Sequence, residues 1–158
     1  MPLLLRNVRE NRWLKSEAAP WLAKGDVPAD PLGDLKTSQN RLSVWEVLDR
    51  SNIERIVRAL AVSSQKLADM GYVLFDSSLL ATAGINTVAE NGTTPDEEAN
   101  NWHRDLIDLS GNKLVILTKL ILENGESGTV LKKRLEQLVV DGIEQKELPE
   151  KCRSKVSK

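Results

Sequence analysis

The stretch 95-PDEEANNWHRDLIDLSGNKLVILTKLILE-123 decides the predicted fold, because it holds the clearest helix start and the longest apolar pattern in the chain. Thr94 and Glu97 form a capping box around a proline at the first helical position. Apolar residues then recur at helical spacing until Gly125, which is suited to end a helix. The pattern predicts one long helix over 95–123, or two nearly collinear helices separated near Gly111.

The second half of this predicted helix has almost no polar face. Within 114–122 only Thr118 and Lys119 are polar. A helix that is apolar all round must be buried on most sides, so this run forms either the centre of the monomer core or part of a subunit interface. It is shorter than the roughly 20 apolar residues that span a bilayer. In the interface alternative, Ile116 and Leu120 contact the partner.

Two apolar segments further upstream predict strands on either side of a second helix. Leu42–Val47 is apolar on both faces, as is typical of an interior strand, and Tyr72–Phe75 is continuously apolar. Between them, residues 52–70 keep helical spacing after a capping box at Ser51 and Glu54. A strand, a helix and a strand with tight connections predict a βαβ unit with neighbouring parallel strands.

The remaining segments complete a small layered fold. Further elements are predicted as strands at 3–8 and 85–88, a short helix at 79–83 and a final helix at 129–146. We therefore expect one α/β or α+β domain over residues 1–148, built on a sheet of three or four strands. The helices that cover this sheet are 52–70, 95–123 and 129–146. Residues 149–158 are expected to form a flexible basic tail.

The composition is that of an ordinary soluble protein. The chain has 158 residues, of which 41% are hydrophobic and 28% charged, enough for one domain with a core. Its 22 basic and 23 acidic residues give a net charge of −1, which provides no overall attraction to nucleic acid or to an anionic membrane. The single cysteine, Cys152, and an N-terminal apolar run too short for a signal peptide indicate a cytoplasmic location without an internal disulfide.

Two carboxylates at the ends of predicted strands support a catalytic hypothesis. Asp49 follows the first strand of the βαβ unit and Asp76 follows the second. Ligand sites in open α/β sheets lie outside the carboxyl ends of parallel strands, where two aspartates can hold magnesium, manganese or calcium over a phosphate ester. In the alternative interpretation, Asp76 caps the following helix and Asp49 lies in an ordinary turn.

The only histidine, His103, lies beside Trp102 at the edge of the predicted apolar stripe. It is either a boundary residue, or a general base or metal ligand that assists the two aspartates. A closed metal site needs three or four ligands, and no second histidine is present to contribute one. The sequence therefore predicts no metal and no other cofactor, and it identifies no small-molecule ligand.

No complete catalytic constellation is present in the sequence, so the leading prediction is a non-enzymatic intracellular module that binds a partner protein or itself. Tryptophan favours the centres of interfaces, although tryptophans in irregular segments also serve as core staples. The predicted partner contacts are Trp13, Trp21, Ile116 and Leu120. The alternative is a small carboxylate-metal-dependent phosphoester hydrolase that uses Asp49, Asp76 and His103. A third, weaker hypothesis is a nucleic-acid accessory protein that uses the basic tail.

Overall fold

A six-stranded antiparallel sheet runs through the middle of the computed structural model, which describes residues 2–156. The strands are β1 (Leu3–Val8), β2 (Leu42–Val47), β3 (Met70–Asp76), β4 (Asn86–Ala89), β5 (His103–Ile107) and β6 (Glu126–Val130). Their order across the sheet is β4-β5-β2-β1-β3-β6, and every neighbouring pair is antiparallel. The fold class is therefore α+β.

Helices cover both faces of this sheet. They are α1 (Lys15–Leu22), α2 (Ala29–Asp34), α3 (Asn52–Val62), α4 (Ser78–Ala83), α5 (Gly111–Asn124) and α6 (Lys132–Glu144). Short 3₁₀ helices occur at Glu10–Arg12, Ala99–Trp102 and Glu150–Lys155. Helices α3 and α6 pack on the face that holds Leu5 and Trp45, whereas α1, α2, α4 and α5 pack on the face that holds Leu4 and Val44.

Strand β1 lies near the centre of the sheet and explains why two helical layers are needed. Successive side chains of a strand point to opposite faces, and Leu4 and Leu5 are 3% and 0% exposed. Each face of β1 therefore needs its own apolar cover. At the start of the strand, Leu3 pairs with Val47 on one side and with Asp76 on the other.

The position of β1 corrects the predicted βαβ unit. Strands β2 and β3 are parallel to each other, because both are antiparallel to β1, but β1 lies between them. The predicted adjacency of segments 42–47 and 72–75 is wrong, and the sheet has six strands instead of three or four. The apolar N-terminal strand β1 lies between β2 and β3. The helix that connects β2 to β3 does not by itself determine whether another strand lies between them.

The predicted helix over 95–123 is wrong in its first half, which contains a 3₁₀ helix and strand β5. The backbone of β5 pairs with both β2 and β4, so its hydrogen bonds are satisfied by two neighbours. Asp108 then adopts a positive φ of 55°, which ends the strand. Helix α5 begins afterwards, and the Ser110 hydroxyl caps it by accepting a hydrogen bond from the Lys113 amide at 3.2 Å.

The other two long helices are shorter than predicted. The helix expected over 52–70 ends at Val62, because the hydroxyls of Ser63 and Ser64 donate to backbone carbonyls of its last turn. The helix expected over 129–146 begins at Lys132, since the preceding residues pair with β3 as strand β6. The strands predicted at 3–8 and 85–88 and the short helix at 79–83 are present, the latter two with bounds shifted by one residue.

The segment predicted to be a flexible tail is packed on the body over residues 149–156. Its 3₁₀ helix contacts α6, and Cys152 is buried with 3% of its surface exposed and forms no disulfide. The Lys155 ammonium donates to the Ser64 carbonyl at 2.6 Å. Residues 157–158 of the predicted tail, like Met1, lie outside the described residues.

Candidate functional site

The two aspartates predicted to hold a metal lie at the C-terminal ends of β2 and β3, where Asp76 is the last residue of β3 and Asp49 comes two residues after β2. Strand β1 lies between these two strands. Val47 and Asp76 both pair with Leu3 on opposite sides, so their Cα atoms are about 10 Å apart at normal strand spacing. Asp49 accepts a hydrogen bond from the Ser51 amide at 2.8 Å, and Asp76 accepts one from the Ser78 amide at 2.8 Å. Each aspartate therefore stabilises its own turn.

These turn hydrogen bonds also favour the ionised form of the two carboxyl groups. The Ser51 amide lowers the pKa of Asp49, and the Ser78 amide lowers the pKa of Asp76. Within residues 2–156, no three His, Cys, Asp or Glu side chains are grouped so that they could hold a metal ion. The geometry thus gives no support to the metal-dependent hydrolase.

His103 lies at the start of strand β5, paired with Trp45 of β2, and not on a helix as predicted. The imidazole is buried, with 9% of the residue exposed, and Trp45 packs edge-on against it at a centroid distance of 5.1 Å. Asp49 is four residues beyond Trp45, about 13 Å along the strand direction. His103 therefore does not join the predicted aspartates.

A polar cleft of about 390 Å³ surrounds His103, between the sheet, the end of α3 and residues 90–94. The Nδ1 atom of His103 lies 2.6 Å from the Glu90 carbonyl oxygen, so it carries a proton and donates to that carbonyl. The Nε2 atom lies 3.5 Å from Oδ1 of Asp105. Ser43 Oγ donates to the same Oδ1 at 3.4 Å, and Arg41 Nε lies 3.4 Å from the other carboxylate oxygen.

The order of these groups determines what the cleft can do. In a serine hydrolase the histidine lies between the serine and the carboxylate, because it must take the hydroxyl proton. Here Asp105 lies between Ser43 and His103, so the serine hydroxyl faces a carboxylate and not the imidazole. Asp105 is therefore the centre of the polar network in this cleft, with Ser43, His103 and Arg41 around its carboxylate. The signal that places Asp105 here is the alternation of a strand, in which His103 and Asp105 share a face.

A second polar cluster joins three parts of the chain. Arg55 of α3 donates to Asp96 from Nε at 2.8 Å and from Nη2 at 3.0 Å, and Arg58 donates to the same carboxylate at 3.2 Å. Both arginines also pair with Glu147, which follows α6. The guanidinium of Arg55 lies over Trp102 at 5.6 Å from the ring centroid. We interpret this cluster as an ion-pair joint, which is a fixed connection that anchors the segment before β5 to helix α3 and to the end of α6.

The two N-terminal tryptophans predicted as partner contacts differ sharply in exposure. Trp13 is a core residue, with 3% of its surface exposed, and its indole N–H donates to Asp34 Oδ2 at 3.0 Å. It cannot serve as a partner contact without leaving the core. Trp21, on α1, keeps 47% of its surface exposed and lies beside a shallow cleft that includes Pro28 and Pro31.

The apolar run 114–122 is divided between the core and the outer surface of α5. Leu117, Ile121 and Leu122 are buried against the sheet, so the core interpretation holds for this side of the helix. On the other side, Ile116 is 44% exposed and Val115 is 38% exposed. Leu120, the second predicted contact on this helix, is partly buried and packs against the core.

The exposed apolar residues of α1 and α5 occur on two helices that contact each other. Leu14, which immediately precedes α1, is 39% exposed. We name this region the α1–α5 outer surface and define it by Leu14, Trp21, Val115 and Ile116. Among residues 2–156, the other large exposed apolar residues are Leu48, which follows β2, and Leu131, which precedes α6.

Comparison with known proteins gives no guide to this surface. The chain matches no protein-family model, and no curated protein or solved structure resembles it at a significant level. Within residues 2–156, no helix combines the length and the apolarity needed to cross a bilayer.

Proposed function

We propose that this chain is a non-enzymatic protein-interaction module that binds its partner through the α1–α5 outer surface. The observation that carries the proposal is the exposure of three large apolar side chains on neighbouring helices, which is 47% for Trp21, 44% for Ile116 and 38% for Val115. Single exposed apolar residues are common on protein surfaces, whereas several on adjoining elements are typical of an interaction site.

The energetics favour coverage of this surface. Full burial of a large apolar side chain contributes about 1.5–3 kcal/mol, so a half-exposed side chain has about 1 kcal/mol still to gain from a partner. Tryptophan has the largest apolar area of the set and is the residue most often found to dominate binding energy. Trp21 is therefore the proposed anchor, and Val115 and Ile116 extend the contact along α5.

Exposed charged side chains occur on the same two helices, and a polar rim is typical of protein interfaces. Lys15 and Glu17 are exposed on α1, and Glu123 is exposed near the end of α5. Lys119 of α5 lies 4.0 Å from Glu123, with both side chains 40% exposed. Such a solvated pair contributes little to stability and remains free to exchange its partner for one on a bound protein.

The proposal is tested with lysine substitutions on α5 and a matched control. Ile116→Lys adds a charge to the proposed surface, whereas Leu131→Lys makes the same change at a residue that is 59% exposed before α6. We expect Ile116→Lys to abolish capture of a specific partner from the native host, while Leu131→Lys and the wild-type chain retain it. Circular dichroism establishes that both variants are folded.

Leu120→Lys shows how a substitution that also disturbs the core differs from one that affects only the exposed surface of α5. Because Leu120 is partly buried against the core, we expect this variant to lower the melting temperature as well as partner capture. Capture that is unchanged in Ile116→Lys would contradict the proposal. Capture that is lost equally in Leu131→Lys would also contradict it, since the effect would then not depend on the α1–α5 outer surface.

A further inference from the structure

We infer that the partner of α5 is a second copy of this chain, with the two α5 helices packed antiparallel about a two-fold axis. This inference rests on the proposed function and specifies its partner. It comes from the distribution of charge along the outward face of α5, which is basic near the N-terminal end at Lys113 and acidic near the C-terminal end at Glu123. Between these two charges lie seven apolar residues, Thr118 and Lys119, and the Lys119 ammonium is 4.0 Å from Glu123 in a solvated pair.

The charges of α5 are placed against its own dipole. A helix favours acidic side chains in its first turn and basic side chains in its last turn, because the N-terminus carries partial positive charge and the C-terminus partial negative charge. In α5, which lies wholly within the described residues, the first turn holds Lys113 and no acidic residue, and the last turn holds no basic residue. The isolated helix is therefore electrostatically mismatched at both ends.

An antiparallel second copy corrects this mismatch at both ends together. Ten residues separate Lys113 from Glu123, which is about 15 Å along the helix axis. With the two-fold axis level with Thr118, Lys113 of each copy meets Glu123 of the other. Each N-terminal end then has a carboxylate beside it, and each C-terminal end has an ammonium group.

The same alignment brings apolar side chains together in the middle. Residues at equal distances on either side of the axis face each other, so Ile116 of one copy meets Leu120 of the other, twice in the dimer. Ile116 lies on the side of α5 that faces away from the buried Leu117 and Ile121, and Leu120, which is partly buried against the core, borders that side one turn further along. An arrangement in which one surface complements itself in charge and apolarity is what a two-fold interface requires.

Charge reversal tests this arrangement with two opposite expected effects. Lys113→Glu removes the mismatch at the first turn of α5, so the melting temperature of the monomer should stay the same or rise. The same substitution places a carboxylate opposite Glu123 of the other copy, so self-association should weaken about tenfold or more. Both quantities are measured on one purified variant, the first by thermal unfolding and the second by sedimentation equilibrium.

Two further variants complete the test. Lys113→Glu combined with Glu123→Lys exchanges the two charges, and we expect it to restore self-association. Lys133→Glu makes the same reversal at an exposed lysine in the first turn of α6, and we expect it to leave self-association unchanged. Equal weakening by Lys133→Glu, or no recovery in the double variant, would overturn the antiparallel pairing.

The outcomes also separate this inference from the proposed function. A wild-type chain that stays monomeric at all concentrations would overturn the inference. If Ile116→Lys still abolished capture of a different host protein, the proposed function would stand with another partner. If the chain self-associated but Ile116→Lys had no effect on that association, the second copy would bind elsewhere, and the inference would be wrong.

Discussion

Arg55 and Asp96 face each other through two parallel hydrogen bonds, from Nε to Oδ2 at 2.8 Å and from Nη2 to Oδ1 at 3.0 Å. The carboxylate is 1% exposed and also accepts a hydrogen bond from the Ala99 amide at 3.0 Å. Because Arg55 belongs to α3, this pair ties one helical layer to the segment that enters the sheet as β5. That segment continues through the 3₁₀ helix Ala99–Trp102 to His103, the first residue of β5.

We expect Asp96→Asn to destabilise the fold by about 3 kcal/mol, because it removes the buried carboxylate that pairs with both Arg55 and Arg58 and leaves Glu147 as the carboxylate that the two arginines still share. Urea denaturation measures the change in the free energy of unfolding. Glu97→Gln is the matched control, since Glu97 is the next residue and is exposed. Equal stability of Asp96→Asn and Glu97→Gln would show that the joint contributes nothing to the fold.

Acid should weaken the same joint. Burial alone raises the pKa of Asp96, but hydrogen bonds from Arg55, the Ala99 amide and Arg58 outweigh burial and lower the pKa below its usual value. A carboxyl group with a lower pKa in the folded chain stabilises the fold above its unfolded pKa of about 4, and loses that contribution as pH falls through its folded pKa.

The pH dependence is therefore measured as a difference between two proteins. We expect the stability advantage of the wild-type chain over Asp96→Asn to be constant above about pH 5 and to shrink as the pH falls below about 4. Other carboxyl groups are common to both proteins and cancel in the difference. An advantage that stayed constant throughout acid unfolding would contradict the role assigned to the Asp96 charge.

The two N-terminal tryptophans should respond differently to the same substitution. Trp13→Phe loses the hydrogen bond to the Asp34 carboxylate and leaves a gap in the core, so we expect a loss of about 2 kcal/mol. Trp21→Phe changes an exposed side chain, so we expect a change within about 0.5 kcal/mol. Urea denaturation of both variants makes the comparison, and equal effects would contradict the assigned positions.

Divalent metal ions should not stabilise the protein. Asp49 and Asp76 each bind the amide of their own turn, and strand β1 separates the strands that carry them. We expect melting scans with magnesium, manganese and calcium to show no shift relative to buffer at equal ionic strength. A shift that Asp49→Asn and Asp76→Asn both abolish would instead support the metal-dependent hydrolase.

Much of the sheet can be predicted from local patterns because its central strands are apolar on both faces. Leu42–Val47 is predicted with the observed bounds, since its buried residues alternate between two helical layers. The edge strand β6 carries no such signal in its sequence Glu126–Val130. Its strand conformation comes from pairing with β3, a contact between distant parts of the chain.

The incorrect helix over 95–123 has a specific physical cause. Trp102 and Leu106 are four residues apart, which fits a helix, but Leu106 also alternates with His103 and Asp105 in the way that a strand requires. Both patterns are satisfied locally, and the pairing of β5 with its two neighbours decides between them. The Ser110 cap was the local signal for the true start of α5.

The candidate surface was predicted only in part. Ile116 and Leu117 are adjacent in an apolar run, and which of them faces the solvent depends on the helices that flank α5. The sequence around Trp13 and Trp21 does not indicate which of the two is buried. In the fold it is Trp13, whose indole N–H donates to Asp34. Exposure of apolar residues is a property of packing between layers, so it follows from the fold and not from local spacing.

The most direct test of the central claim is photo-crosslinking in the native host with a benzophenone amino acid in place of Ile116. We expect a crosslinked product at this position, either a second copy of the chain or another protein, and none with the same amino acid in place of Leu131, which is also exposed. Crosslinks of equal yield at both positions, or at neither, would contradict the claim that the α1–α5 outer surface binds a protein partner.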